Sequence, residues 1–461
     1  MVQVIKRDGR EVDFETQKIV IAVEKAMKET EKGIDETAAK EVGEAVHEKY
    51  KDSDKVSIEE IQDLVEFELM KRAPEAAKKY ILYREERTRL REEGWAMTNL
   101  QRDIYDKKYR YDGENFEGFI KRVSGDNDVI GKAIKDKKFM PAGRILAGRG
   151  LDKKGKKVTL SNCYVMPKVE DNIESIFDTA KRLARTYSYG GGCGINISNL
   201  RPKGARVNNA ASTTTGAVSF MDLFALTTGL IGMRGRRGAL MINMDVSHPD
   251  IMEFIDVKND LSKVNSANIS VNVNDEFLKA VKEDTNYTLR FDVESSGEEI
   301  RKEVRARDLW NTLAKNNWNM AEPGILYWDR INSWHIMSAD ENFSYAGVNP
   351  CAEEPLPAWG SCNLSSINLG AFVRDPFTDY GRFDFEAFAN LVREGVFYLN
   401  GVLDENENLH PIKEQRELAH NLRQIGLGIM GLADMFIKLK IKYGSPESIK
   451  LIHQIGRLMI N

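Results

Sequence analysis

Residues 349–370 read NPCAEEPLPAWGSCNLSSINLG, and this stretch joins two kinds of chain. Pro350, Pro355 and Pro357 fix φ and remove backbone donors, so the first part is neither regular helix nor central strand and reads as a loop. The last part, SSINLG, is one of several short apolar stretches in this half of the chain. The segment holds two of the four cysteines, Cys351 and Cys362, and Asn349 and Glu353 stand two residues to either side of the first. Loops that carry Cys and Glu tend to be functional rather than structural. A surface turn with a chance cysteine is the plainer alternative.

Around this segment strand-like and helix-like pieces alternate. LSNCYVM, GINIS, ALMINMDV, NISVNV and GILYW are short and apolar, whereas SIFDTAKRLARTY, FMDLFALTTGLI and FEAFANLVREGVFYLNGVL carry helical periodicity. The alternation predicts an α/β domain, open sheet or barrel, over residues 159–461. The sequence stops at LIHQIGRLMIN, inside an apolar-periodic helix that still needs a packing partner, so the sheet or barrel is expected to be incomplete in this chain. Residues 93–158 read as a helical region, and residues 1–92 as a small separate module. There VQVIKRDGREVDF predicts a hairpin about Asp8-Gly9. Helices are expected near Thr16–Lys28 and from about Asp35, then one opened by a Ser57–Glu60 capping box and one beginning at Pro74.

Composition narrows the class. A net charge of −4 gives no global field favouring nucleic acid or an anionic membrane. No apolar run approaches the ~20 residues of a membrane span, and the N-terminus has no signal core. Four cysteines (Cys163, Cys193, Cys351, Cys362) without a C-x-x-C pair make neither a disulfide framework nor a zinc ribbon, and the six histidines show no metal spacing, so no metal site is expected. A reducing cytoplasm is the expected setting, where a cysteine is a small buried hydrophobe or does chemistry. GGGCG does not meet the dinucleotide fingerprint; its glycines read as a tight strand entry and Cys193 as a core residue. His248, before Pro249, reads as turn structure.

Taken in order, PAGRILAGRG, LSNCYV around Cys163, GGGCGINISNLRP, GMRGRRGALM and NPCAEEPLPAWGSCNLSSINL resemble the ribonucleotide reductases. The KRDG hairpin and the module around it resemble that family's ATP-cone. The resemblance implies a ten-stranded α/β barrel of the ribonucleotide reductase and glycyl-radical type, incomplete in this chain. A helical region and a small α+β ATP-cone would precede it. It implies thiyl-radical reduction of ribonucleotides, as diphosphates, to 2′-deoxyribonucleotides with oxidation of a cysteine pair. Cys351 would carry the thiyl radical, Glu353 would take the 3′-OH proton, and Asn349 would hold the ribose hydroxyls. An extended loop would place these three on one side. Cys163 and Cys362 would supply the electrons and end as a disulfide, Cys163 protonating the departing water. Only folding could bring that pair within the ~6 Å Cα separation a disulfide needs. The three sulfurs would converge on one buried, sugar-sized hollow.

The same resemblance implies effector sites. Asp171, opening a helix with Glu174 at capping-box spacing, would bind an effector's deoxyribose and Arg201 its phosphates. Arg236, in MRGRRGA, would relay effector identity, and Lys6, Arg7 and Lys18 match the cone's contacts to ATP or dATP. The spacing of Cys351 and Cys362 most resembles the adenosylcobalamin-dependent class II. The alternatives are a class I large subunit with a separate radical-generating subunit, or a nucleotide-binding regulatory fragment without activity of its own. The family implies ribonucleotide substrates, dNTP effectors, a thioredoxin-like reductant and a homodimer in the cytoplasm, with no nucleic-acid or membrane partner. It also implies a second polypeptide or a missing C-terminal part, without which substrate would bind poorly.

Overall fold

The computed structural model describes residues 2–6, 10–92, 97–233, 236–337 and 339–461. The chain forms two compact units, Met1–Arg102 and Asp103–Asn461.

In the first unit β1 (Gln3–Ile5) pairs antiparallel with β2 (Glu11–Asp13) and parallel with β3 (Lys55–Ser57). The expected hairpin is therefore present, and its turn at residues 7–9 lies outside the described residues. Four helices accompany it: α1 (Thr16–Lys28), α2 (Glu36–Tyr50), α3 (Ile58–Arg72) and α4 (Pro74–Glu92). Helix α1 buries Ile19, Val20, Val23, Ala26 and Met27, the stripe a 3.6-residue period lays on one face. Helix starts are fixed locally. Asp35 accepts from the Ala38 N–H, and Ser57 and Glu60 form a reciprocal capping box, which satisfies donors the first turn leaves open.

The second unit is built on one sheet. Its strands are β4 (Phe139–Pro141), β5 (Cys163–Val165), β6 (Gly192–Asn196), β7 (Leu240–Asp245), β8 (Asn268–Val273), β9 (Gly324–Tyr327), β10 (Ser361–Asn368) and β11 (Ile425–Met430). They lie in the order β9-β8-β7-β6-β5-β10-β11, with β4 added antiparallel to β10. Strands β5 to β9 are mutually parallel, and β10 and β11 are parallel to each other. The two sets meet antiparallel, at β5 against β10. The sheet is open, with β9 and β11 at its ends.

Alternation along the strands sorts its two faces. Ile195, Ile242 and Ile269 join the main core, packed with helix residues such as Leu183, Phe224, Phe254 and Phe277. Their neighbours Asn196, Asn243 and Ser270 occupy successive ladder positions on the opposite face. Helix α5 (Ile173–Ser188) contributes Ile176, Ala180 and Leu183 to the core, and α6 (Phe385–Asn406) packs against β10 and β11.

Candidate active site

The antiparallel junction carries the two remote cysteines. Cys362 on β10 stands directly opposite Cys163 on β5, a position that holds Cβ atoms about 4.5–5.5 Å apart. The thiols share a hydrogen bond in which Cys362 donates. That bond is the main reason the Cys163 thiol lies below its ordinary pKa and the Cys362 thiol well above it; burial raises Cys362 further. Both are free and buried. A thiol lowered in this way gives up its proton more readily, which suits Cys163 to protonating a leaving group.

Asn349 reaches the pair from the loop. It is fully buried, and its Nδ2 donates to Cys163 Sγ at 3.5 Å. Its Oδ1 accepts from the Glu354 N–H at 3.0 Å, while the Asn349 N–H donates to the Glu354 carbonyl at 3.1 Å. The Ala352 N–H closes on the Asn349 carbonyl at 3.0 Å, and Ala352 adopts φ 69°. The segment is thus a tight turn stitched by the Asn349 side chain, and not the extended loop expected from sequence. An Asn that bonds nearby backbone offers the chain this alternative to extension. As a result Asn349 points inward while Cys351 and Glu353 are exposed. The Cys351 thiol is pushed above its ordinary pKa by partial burial, then by the Glu353 carboxylate and Cys163.

Two glycines of β6 make room for this turn. A Cβ on Gly194 would lie 1.7 Å from the Val348 carbonyl oxygen, and one on Gly192 would lie 2.9 Å from Pro350 Cγ. These are alternate residues on one face, a period-two signal in GGGCGIN that the reading of a tight strand entry overlooked. Cys193, between them, is fully buried in the core with its thiol raised by burial.

Cys163 and Cys351 line one cavity of 370 Å³, together with Tyr109, Arg144 and Asn162. Cys362 instead lines a second cavity, of 660 Å³, with Glu354, Trp334 and Ile336. The single buried hollow expected for three sulfurs is therefore two cavities meeting at the Cys163–Cys362 pair, and Cys351 is exposed. Ala352 takes φ 69° inside the turn, and Cys351 and Glu353 on either side of it are exposed.

The ribonucleotide reductase barrel-domain family matches residues 161–461, and the ATP-cone domain family matches residues 2–89. A vitamin B12-dependent ribonucleoside-diphosphate reductase of Thermoplasma acidophilum is 32% identical, over 97% of this chain and 68% of that protein. The chain belongs to the ribonucleotide reductases. A vitamin B12-dependent ribonucleoside-diphosphate reductase of Mycobacterium tuberculosis is 31% identical over 99% of this chain and 68% of its own length. In fold the chain is similar to the alpha subunit of a class Id ribonucleotide reductase from Actinobacillus ureae. The TM-score is 0.63 with 20% identity, covering 78% of this chain and 66% of that one. The open sheet is accordingly an incomplete barrel of this family.

Behind the cysteine strands this reductase carries a buried hydrogen-bond ring that no motif announced. Asn406, the last residue of α6, bonds His410 Nε2 at 3.3 Å; His410 Nδ1 bonds the Tyr164 hydroxyl at 2.9 Å. Tyr164 meets Thr159 Oγ1 at 2.6 Å, and Thr159 donates to Asn406 Oδ1 at 3.2 Å. A branch runs from Asn406 Nδ2 to Ser161 Oγ at 2.9 Å and on to Asn363 Oδ1 at 2.6 Å. Burial lowers the His410 pKa to about 4, so its ring is neutral and can accept on one nitrogen while donating on the other. Tyr164 follows Cys163 and Asn363 follows Cys362, so the ring braces both strands from the face opposite the sulfurs.

Other expected positions are distributed differently. Asp171 does not cap its helix; Asn172 does, accepting from the Ser175 N–H at 2.7 Å. The Asp171 carboxylate is taken by Arg201, whose Nε lies 2.7 Å from Oδ2 and whose N–H donates to Oδ1 at 3.0 Å. Arg236 lies in a short strand paired with Gly232–Met233, and its side chain is outside the described residues. In the first unit Lys18 lines a cavity of 910 Å³ with Lys25, Lys79, Tyr83 and Arg84, and it pairs with Glu15 at 2.7 Å. Lys6 does not line that cavity, and Arg7 is outside the described residues. Glu354, unremarked in the sequence, is half-buried, with its carboxyl raised by burial and by Glu353. His248 is buried with Nε2 2.8 Å from the Leu200 carbonyl. Among the described residues no cluster of His, Cys, Asp or Glu is arranged to hold a metal, and no helix is long and apolar enough to cross a membrane.

Proposed function

We propose that this chain reduces ribonucleoside diphosphates to 2′-deoxyribonucleotides by a thiyl radical on Cys351, drawing two electrons from Cys163 and Cys362. The observation that carries this reading is the facing, hydrogen-bonded Cys163–Cys362 pair, with Cys351 on the cavity that Cys163 lines. Asn349 holds Cys163 and the turn, Glu353 takes the 3′-OH proton, and Cys163 protonates the departing 2′-hydroxyl. The pair then closes to a disulfide.

The relatives named vitamin B12-dependent support adenosylcobalamin as the radical source. The site fits such a group in one respect. Cys351 is exposed and lines the 370 Å³ cavity, so its thiol would be open to a radical source bound beside that cavity. Tyr109 and Arg144, on the cavity wall, would face it. When bound, it supplies the radical that Cys351 carries.

We assign residues 1–92 to an ATP-cone, 93–158 to a helical region and 159–461 to the barrel. Asp171, Arg201 and Arg236 are proposed for dNTP effectors, and Lys6, Arg7 and Lys18 for ATP or dATP. The Asp171–Arg201 ion pair would open to admit an effector. A thioredoxin-like dithiol reductant, a homodimer and a cytoplasmic setting complete the reading.

The test is deoxynucleotide formation from a ribonucleoside diphosphate, with and without adenosylcobalamin, in the presence of a dithiol. It is run on the chain alone and with a polypeptide matching the remaining third of the relatives. Cys351→Ser is expected to abolish product while effector binding persists. Product from that variant overturns the assignment.

A further inference from the structure

Asn349 and Glu354 stitch the base of the turn, but Pro350 and Cys351 at its tip make no backbone hydrogen bond within it. Among the described residues, the hydrogen bond that holds this pair comes from the sheet. Asn268, the first residue of β8, donates from Nδ2 to the Pro350 carbonyl at 2.9 Å, from 82 positions away. We propose that Asn268 is the positioning residue of Cys351. Its amide fixes the Pro350–Cys351 peptide plane, and so the direction in which the Cys351 thiol meets the cavity shared with Cys163. The inference rests on the reading of Cys351 as the radical carrier, and adds what aims it.

Three observations converge. The first is a row across the sheet. Gly194, Met241 and Asn268 are ladder partners on β6, β7 and β8 and share one face. Each receives a different part of the turn. Gly194 leaves room for the Val348 carbonyl, Met241 packs with Val348 and Ala352, and Asn268 takes the Pro350 carbonyl. The second is how firmly the donor is set. Strand β8 is paired on both sides, with β7 and β9, so the place of Asn268 does not depend on the open ends of the sheet. Asn272, further along the same face, donates instead to Asp245 at 2.7 Å, so Asn268 is the asparagine of this strand that reaches the turn. The third is chemical direction. A carbonyl can only accept, so the group facing Pro350 is the amide nitrogen and not its oxygen.

The bond acts on the soft rotation that remains. The proline ring fixes φ at Pro350 and lies against Gly192, where a Cβ would meet its Cγ at 2.9 Å. What is left is ψ of Pro350, which swings the carbonyl on one side and the Cys351 N–H on the other. Holding the carbonyl holds ψ, and ψ sets where Cys351 starts. A hydrogen-abstracting sulfur must stand in a near-attack position, and a displacement of ~1 Å costs about a hundredfold in rate. Asn268 is itself exposed, so water can replace it in a variant without opening a cavity in the core.

The test removes the donor and keeps the shape. In Asn268→Asp a carboxylate cannot donate and repels the carbonyl, whereas Asn268→Gln keeps the amide on a longer arm. With the polypeptide matching the remaining third of the relatives and with adenosylcobalamin, Asn268→Asp is expected to lower kcat about a hundredfold and leave KM within about twofold. Asn268→Gln should fall between it and the parent. Geometry is read on the chain alone, in a Cys362→Ala background that leaves Cys163 without its second sulfur. A short bis-thiosulfonate is expected to bridge Cys351 to Cys163, and to do so several-fold less in Asn268→Asp, while iodoacetamide labels Cys351 at least as fast. Equal kcat and equal bridging in Asn268→Asp overturn the inference and leave Cys351 as the radical carrier. A lower kcat with unchanged bridging and a lower urea midpoint also overturns it, since Asn268 then serves stability alone. Product from Cys351→Ser overturns the reading beneath it.

Discussion

The cysteine pair and the Asn349–Glu354 turn lie side by side and are held in different ways. Cys163 and Cys362 are buried, face each other across a strand junction and are braced from behind by the Asn406–His410–Tyr164–Thr159 ring. Cys351 rides a short turn stitched through Asn349 and stands exposed. Under the proposed function the difference matches two chemical demands. Sulfurs that must close on each other need a fixed register, because a disulfide tolerates only a narrow range of separations. A thiol that must meet a bulky radical source needs to be reached. Rigidity is spent on the first and exposure is left to the second.

The sharpest way to break the comparison is to remove one thiol at a time. Cys351→Ser is expected to lower deoxynucleotide formation on the order of 10⁴-fold or more, while the Cys163–Cys362 disulfide still forms on oxidation. If that variant also fails to form the disulfide, the two regions are not independent. Gly194→Ala attacks the seam between them, since its methyl would sit 1.7 Å from the Val348 carbonyl oxygen. The turn must move, at about 3 kcal/mol in urea unfolding. An unchanged midpoint would mean that the turn packs elsewhere. Asn406→Leu is expected to cost about 2 kcal/mol, because Thr159, the Leu160 N–H, Ser161 and His410 lose a buried partner. It should also make disulfide closure slower than in the parent, and equal closure rates would confine the ring to stability alone.

What the sequence disclosed was what is local. The Ser57–Glu60 box, Pro74 at a helix start and the prolines around Cys351 act within a few residues, and the strand–helix alternation carries the fold class. The cysteines could be named from motif resemblance, but their surroundings could not be. The Asn406 ring joins residues from Thr159 to His410 that nothing in a linear reading connects. Asp171 and Asn172 offer the same capping chemistry side by side, and Arg201, which captures the Asp171 carboxylate, lies thirty residues away. The outward turn of Cys351 depends on which backbone donors the Asn349 side chain finds, and residue order leaves that open.

The smallest expected effect bears most directly on how the pair works. Cys362 donates to Cys163, so the Cys163 thiolate is stabilised and its pKa lowered. Cys362→Ala deletes the donor while leaving Asn349 in place, and the Cys163 pKa must rise toward its ordinary value. At neutral pH the thiolate fraction then falls, and iodoacetamide should label Cys163 more slowly, by a few-fold, in Cys362→Ala than in the parent. The gap should close above the ordinary thiol range, where Cys163 is ionised in both proteins. In Cys362→Ser a hydroxyl can still donate, so its profile should lie between the two. Faster labelling in Cys362→Ala would mean that relief of burial outweighs the lost hydrogen bond, and that the register of the two strands governs access to Cys163 and not its acidity.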